Sequence, residues 1–155
     1  AAKAVAFGEA LQPDFKKYQT QVIENTKTLA QTLSERNVRI VSGGSDNHLL
    51  MADLRARGIA GKVAEDALEE CGITCNKNAV PGDPQPPQVT SGLRLGAPAA
   101  TTRGFKEEEF KQVGDWIAKA LDVLEKEPRG DEKVFAEIKG DVMKLCSQFP
   151  IYQSL

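Results

Sequence analysis

Residues 89–105 read Val-Thr-Ser-Gly-Leu-Arg-Leu-Gly-Ala-Pro-Ala-Ala-Thr-Thr-Arg-Gly-Phe, and the reading of this stretch decides the fold class. Gly92 to Leu95 reads as a strand, and Gly96 to Gly104 as a turn-rich connection. Downstream the pattern turns helical. A long helix is expected from about Lys106, burying Phe110, Val113, Ile117, Leu121 and Leu124, with Glu107, Glu108 and Glu109 near its positive end. Pro128-Arg129-Gly130 breaks it, and a last helix buries Val134, Ile138, Val142, Leu145 and Phe149. Upstream, Asn76 to Gln88 holds four prolines, Pro81, Pro84, Pro86 and Pro87, which forbid a helix or a central strand. Before that loop come a strand end at Ile73–Cys75 and a helix after Gly61 with Val63, Ala67 and Leu68 on one face. Leu49–Leu54 and Val38–Val41 read as strands separated by the turn cluster Ser42–Asn47. Pro13 opens a helix to about Glu35, which Asn37 closes in the left-handed conformation, and Ala1–Leu11 is a separate helix. Strands mixed with helices without strict alternation predict an α+β fold, with helices packed on one face of a small, mostly antiparallel sheet.

Composition limits the function. With 20 basic and 22 acidic residues in 155, the net charge is −2, and no basic excess exists to drive nucleic-acid binding. No apolar run reaches the roughly 18–20 residues of a membrane span. The chain begins Ala-Ala-Lys with no visible signal peptide, so a cytoplasmic protein is expected. Cys71, Cys75 and Cys146 make no even framework, and with His48 as the single histidine they do not furnish a zinc ligand set. They read as reduced thiols, with no metal site. No hydrolase, nucleotide or metalloprotease motif is present.

Five features are candidates for chemistry. Ser42-Gly43-Gly44-Ser45 could cradle a phosphate, but an apolar run follows rather than a helix, so a turn is the better reading. His48 stands at the start of a strand, where a structural hydrogen bond is expected. Lys77 lacks the desolvated or cationic surroundings of a Schiff-base lysine, and reads as a solvated or ion-paired side chain. Arg94 lies between apolar neighbours, where a buried charge needs a partner. Its fork suits a carboxylate of the protein or of a substrate, and from the residues alone the internal ion pair is favoured. Asn78 offers a donor and an acceptor on a rigid loop, suited to a heterocycle edge or to an Asx turn.

The same loops resemble the serine hydroxymethyltransferase family. The matching stretches are Ala1–Ala10, Val41-Ser-Gly-Gly-Ser-Asp-Asn-His48, Asn76-Lys-Asn-Ala-Val-Pro81, Val89–Ala99 and Thr102-Arg-Gly-Phe105, in the family's order. The resemblance implies the C-terminal small domain of a fold-type I pyridoxal-phosphate transferase. Residues 1–12 would be a helix belonging to or bordering a large domain upstream, and residues 13–155 would form the small domain. It implies that Arg94 grips the carboxylate of serine or glycine and that Asn78 contacts the pteridine of tetrahydrofolate. Pro86-Pro87-Gln88 stands where many members carry Ser-Pro-Phe beside the folate, and here the chain departs from the pattern. The Schiff-base lysine lies upstream in the family, so this chain would supply no catalytic residue and would be inactive alone. The partners implied are the upstream part of the enzyme and a homodimer or dimer of dimers. Outside the resemblance, the alternative is a free-standing amino-acid-binding or structural α+β domain.

Overall fold

The computed structural model describes residues 1–151. Two helices open the chain, α1 (Ala2–Ala10) and α2 (Pro13–Glu35). Strands β1 (Arg39–Ile40) and β2 (Leu49–Asp53) follow, then α3 (Gly61–Glu70), β3 (Asn76–Asn78) and β4 (Gly92–Gly96). Three helices end it: α4 (Pro98–Arg103), α5 (Glu107–Lys126) and α6 (Glu132–Ser147). The four strands form one antiparallel sheet in the order β1-β2-β4-β3. The small α+β fold expected from the sequence is therefore observed.

The register sorts the sheet into two faces, because residues directly opposite one another point the same way. Ile40, Leu50, Ala52, Leu93 and Leu95 share one face, and all are buried under the helices. Each fully buried leucine contributes roughly 1.5–3 kcal/mol. The core continues through Val22, Leu29 and Leu33 of α2, Leu68 of α3, Ile117 and Leu121 of α5, and Ile138 of α6. The other face carries Met51, Asp53, Arg94, Gly96, Asn76 and Asn78, and it is the more open one, with Arg94, Gly96 and Asn76 exposed.

Local signals explain most boundaries. Pro13 occupies the first turn of α2, and Asn37 takes φ +60 just after its end, as its amide side chain permits. The Glu109 carboxylate accepts the Lys106 N–H at 2.8 Å and caps α5. Asp131 accepts the Lys133 and Val134 N–H groups at the start of α6. Gly130 must be glycine: its φ is +80, and a Cβ would enter the Phe135 ring.

Five expectations need correction. The third strand is Asn76–Asn78 and not Ile73–Cys75, so pairing with β4 recruits polar residues of low strand propensity from what read as loop. Pro98–Arg103 is a helix within the stretch read as turns, because Pro98 starts it and Gly104 at φ +112 ends it. Val41 leaves the first strand to start a 3-10 turn, Val41–Gly43. Val63 is 39% exposed, and Ala64 takes the inward position on α3. Phe135, absent from the expected core, is buried, while Val113, Val134 and Phe149 are only half-buried.

Candidate functional site

Arg94 sits at the middle of β4, opposite Met51 on one side and Asn76 on the other. It points to the more open face and is exposed, which overturns the expectation of a buried charge. Alternation explains the difference: Leu93 and Leu95 face the core, so the residue between them faces away. The internal ion pair is absent too. Among the described residues Arg94 has no carboxylate partner, and its one side-chain bond runs from Nη2 to Asn76 Oδ1 at 3.0 Å. The rest of a five-donor fork is left facing an open pocket formed with His48, Leu49, Thr74, Cys75, Asn76 and Gly96.

Asn78 lies on the same face. It pairs with Gly92, two residues along β4 from Arg94, a diagonal separation of about 7–8 Å. Its Nδ2 donates to Ala79 O at 2.9 Å and contacts Met51 Sδ at 3.2 Å. The carboxamide oxygen has no donor among the described residues. Gly92 allows this close pairing, since a Cβ there would lie 2.5 Å from Val80 Cγ1 and 2.6 Å from Ala52 O.

The loop after Asn78 is organised by a carboxylate that sequence reading passed over. Asp83 accepts from the Val80, Gln85 and Ser91 N–H groups and from the Ser91 hydroxyl, at 3.1, 2.9, 2.8 and 2.7 Å. The Ser91 hydroxyl bond and the backbone donors hold its carboxyl down at about 2. Asp83 thereby ties the end of β3 to the start of β4. A Pro-Gly-Asp-Pro turn was the only signal in the sequence for such a knot. Pro86, Pro87 and Gln88 are all exposed, and no hydrogen bond among the described residues links their side chains to Asn78 or Arg94.

Three ion pairs brace the sheet. Asp53 is almost wholly buried and binds Arg39 at 2.9 Å and Arg55 at 2.7 Å. The Arg55 hydrogen bonds pull its carboxyl below the usual range against the opposing effect of burial. Arg55 also reaches Gly82 O at 3.4 Å in the proline loop. Lys77 is the ion-paired side chain rather than a solvated one: Glu65 receives its N–H at 3.0 Å and its ammonium at 3.3 Å. The Lys77 backbone bond leads in lowering the Glu65 carboxyl.

The remaining candidates stay apart from chemistry. Ser42–Ser45 forms a turn, with Ser42 at φ +65 and Gly43 at φ +73. The His48 side chain makes no hydrogen bond among the described residues, while its carbonyl accepts Ala97 N–H at 3.0 Å. Cys71 and Cys75 are unpaired, and burial pushes their thiols up to about 11 and 12. No cluster of potential metal ligands occurs among the described residues.

The sequence model of the family described as serine hydroxymethyltransferase matches residues 1–117. A relative named serine hydroxymethyltransferase from Paracoccus denitrificans is 55% identical over 156 aligned positions, covering 100% of this chain and 36% of the relative. A relative of the same name from Paramagnetospirillum magneticum is 54% identical, covering 99% of this chain and 36% of its own length. The chain thus spans about a third of the curated relatives it matches.

Proposed function

The chain belongs to the serine hydroxymethyltransferase family, and on that premise we propose that it forms the C-terminal small domain of a fold-type I pyridoxal-phosphate transferase. That enzyme interconverts serine and tetrahydrofolate with glycine and 5,10-methylenetetrahydrofolate. The observation supporting this most is the exposed Arg94 fork, held at mid-strand with no protein carboxylate on it. An arginine so placed is ready for a bidentate carboxylate, and serine and glycine both carry one. Asn78, on the same face, offers its amide edge to a pteridine. Pro86, Pro87 and Gln88 are assigned a flanking role on the folate side.

Pyridoxal phosphate, when bound, supplies an electron sink for breaking bonds at the amino acid's α-carbon. The described residues do not build its site. Lys77, the lysine beside the sheet face, has its ammonium committed to Glu65, and the Ser42–Ser45 turn leads into a strand rather than a helix. No step is therefore derived through the cofactor. What this chain does is bind and orient. The Asn76 bond fixes the rotamer of Arg94, and a carboxylate seated on the fork is held in one orientation, which can lower a barrier substantially. Residues 1–12 are assigned to the border of the upstream domain, with a homodimer or dimer of dimers in the cytoplasm as the working assembly.

The test is Arg94→Ala in an intact enzyme containing this chain. Serine affinity is expected to fall about 100-fold or more, since two charge-assisted hydrogen bonds are lost, while retention of pyridoxal phosphate is unchanged. Unchanged serine affinity overturns the assignment. Asn78→Ala is expected to raise the KM for tetrahydrofolate about tenfold and to spare folate-independent aldol cleavage. Equal losses in both reactions refute its role. The 155-residue chain alone, mixed with pyridoxal phosphate, is expected to show no glycine-dependent change in visible absorbance beyond that of a protein-free blank, and an excess over that blank would place the chemistry within this chain.

A further inference from the structure

The covered face of the sheet is not filled completely. Under β4 lies a cavity of about 180 Å3. Leu29 of α2, Leu95 of β4, Phe105 just before α5, Phe110 and Ile117 of α5, and Leu145 of α6 form its deep walls, and each is buried. Its mouth is made by exposed Gly72, Thr74, Gly96 and Ala99. Thr74 and Gly96 also line the Arg94 pocket, so the two hollows open side by side around the end of β4.

The hollow opens to solvent at that mouth, so it is a cleft between the sheet and the helices rather than a sealed void. Water is a poor occupant, because an ordered water needs two to four polar partners. No Asp, Glu, Lys, Arg or His lines this cavity, and Thr74 is the one hydroxyl-bearing residue among its lining. An apolar cavity of about 150 Å3 stays dry and accepts benzene. Phe105, Phe110 and Trp116 add ring edges and faces, and Phe105 and Phe110 already meet edge-on with centroids 6.3 Å apart.

We propose that this cavity is a binding site for a small neutral aromatic molecule of one or two rings. The size excludes a larger ligand and the walls exclude a charged one. The walls of this site include neither Arg94 nor Asn78, although its mouth shares Thr74 and Gly96 with the Arg94 pocket.

Trp116 is the single tryptophan of the chain and lines the cavity, so it reports occupancy directly. Iodobenzene, a heavy-atom quencher, is titrated into the 155-residue chain while Trp116 fluorescence is followed. Saturable quenching reversed by benzene is expected. Ala100→Leu extends a side chain into the cavity from α4 and is expected to weaken iodobenzene binding at least tenfold. Val113→Phe, on the opposite wall at a half-buried position, gives the same test should Ala100→Leu fail to fold. Quenching that rises linearly without saturation overturns the proposal, as does equal affinity in the wild type and a folded filled variant. Quenching seen in this chain but lost in an intact enzyme containing it would assign the cavity to a protein segment instead, and overturns it too.

Discussion

Asn25 is polar, fully buried and in the middle of α2, a position that helical periodicity would give to a hydrophobe. It is tolerated because its Nδ2 donates to Thr101 Oγ1 at 2.8 Å and Phe105 O at 2.9 Å, while Gln21 donates to its oxygen at 2.9 Å. Asn25→Ala leaves the Phe105 carbonyl buried without that donor and opens a void. A loss of about 2–3 kcal/mol is expected in urea denaturation. Asp53 gives a pH-dependent counterpart. Its carboxyl titrates lower in the folded chain than the value of about 3.9 it has when unfolded. The stabilisation is therefore complete above the unfolded value and is lost as pH falls through the folded one. Asp53→Asn is expected to flatten the acid limb of the stability profile, and an unchanged limb would mean the ion pairs contribute nothing net.

At the scale of elements, the β3–β4 connection shows how rigidity arises. Four prolines restrict the backbone, but the Asp83 carboxylate is what joins its two ends. Asp83→Ala is expected to speed amide exchange at Val80, Gln85 and Ser91 while leaving Leu50 and Leu121 protected. Because the Asp83 carboxyl lies at about 2, the same amides should stay protected in the wild type down to pH 3 and lose protection as pH falls through about 2. Helix α4 is fastened differently. Arg103 donates to Phe149 O at 2.8 Å and Cys146 O at 3.1 Å, satisfying carbonyls at the end of α6 where a cation also meets the negative pole of the helix. Arg103→Gln is expected to cost about 1 kcal/mol and to raise exchange in the last turn of α6 alone.

Across the whole molecule the core runs unbroken from α2 to α6, and α1 stands outside it with no buried residue. Removing residues 1–11 is expected to leave the thermal midpoint of the chain within about 2 °C of its original value, since the deleted residues bury little apolar surface on folding. A larger fall would place α1 inside the folding unit. Val5, Phe7 and Leu11 are exposed apolar side chains on this segment. Their exposure accords with residues 1–12 bordering another domain, in a chain that spans 36% of its relatives' length.

The long helices were legible because their apolar residues recur at fixed spacing and their ends carry local chemistry, as at Pro13, Asn37 and Gly130. The family followed from the same linear information, as did the order of the elements apart from β3 and α4. The polar strand Asn76–Asn78 was not legible, because only its hydrogen bonds to β4 make it a strand. Nor was the environment of Arg94: apolar neighbours suggested burial, whereas alternation along a strand with one covered face turned it outward. The carboxylates of Asp53, Asp83 and Glu65 acquired their roles from partners that the fold brings close, Arg39, Ser91 and Lys77. Sequence by itself determined which segments fold and to which family they belong, since periodicity and turn residues act over a few positions. Tertiary structure decided which face of the sheet stays open and which charges are paired, because both depend on contacts between residues far apart in the chain.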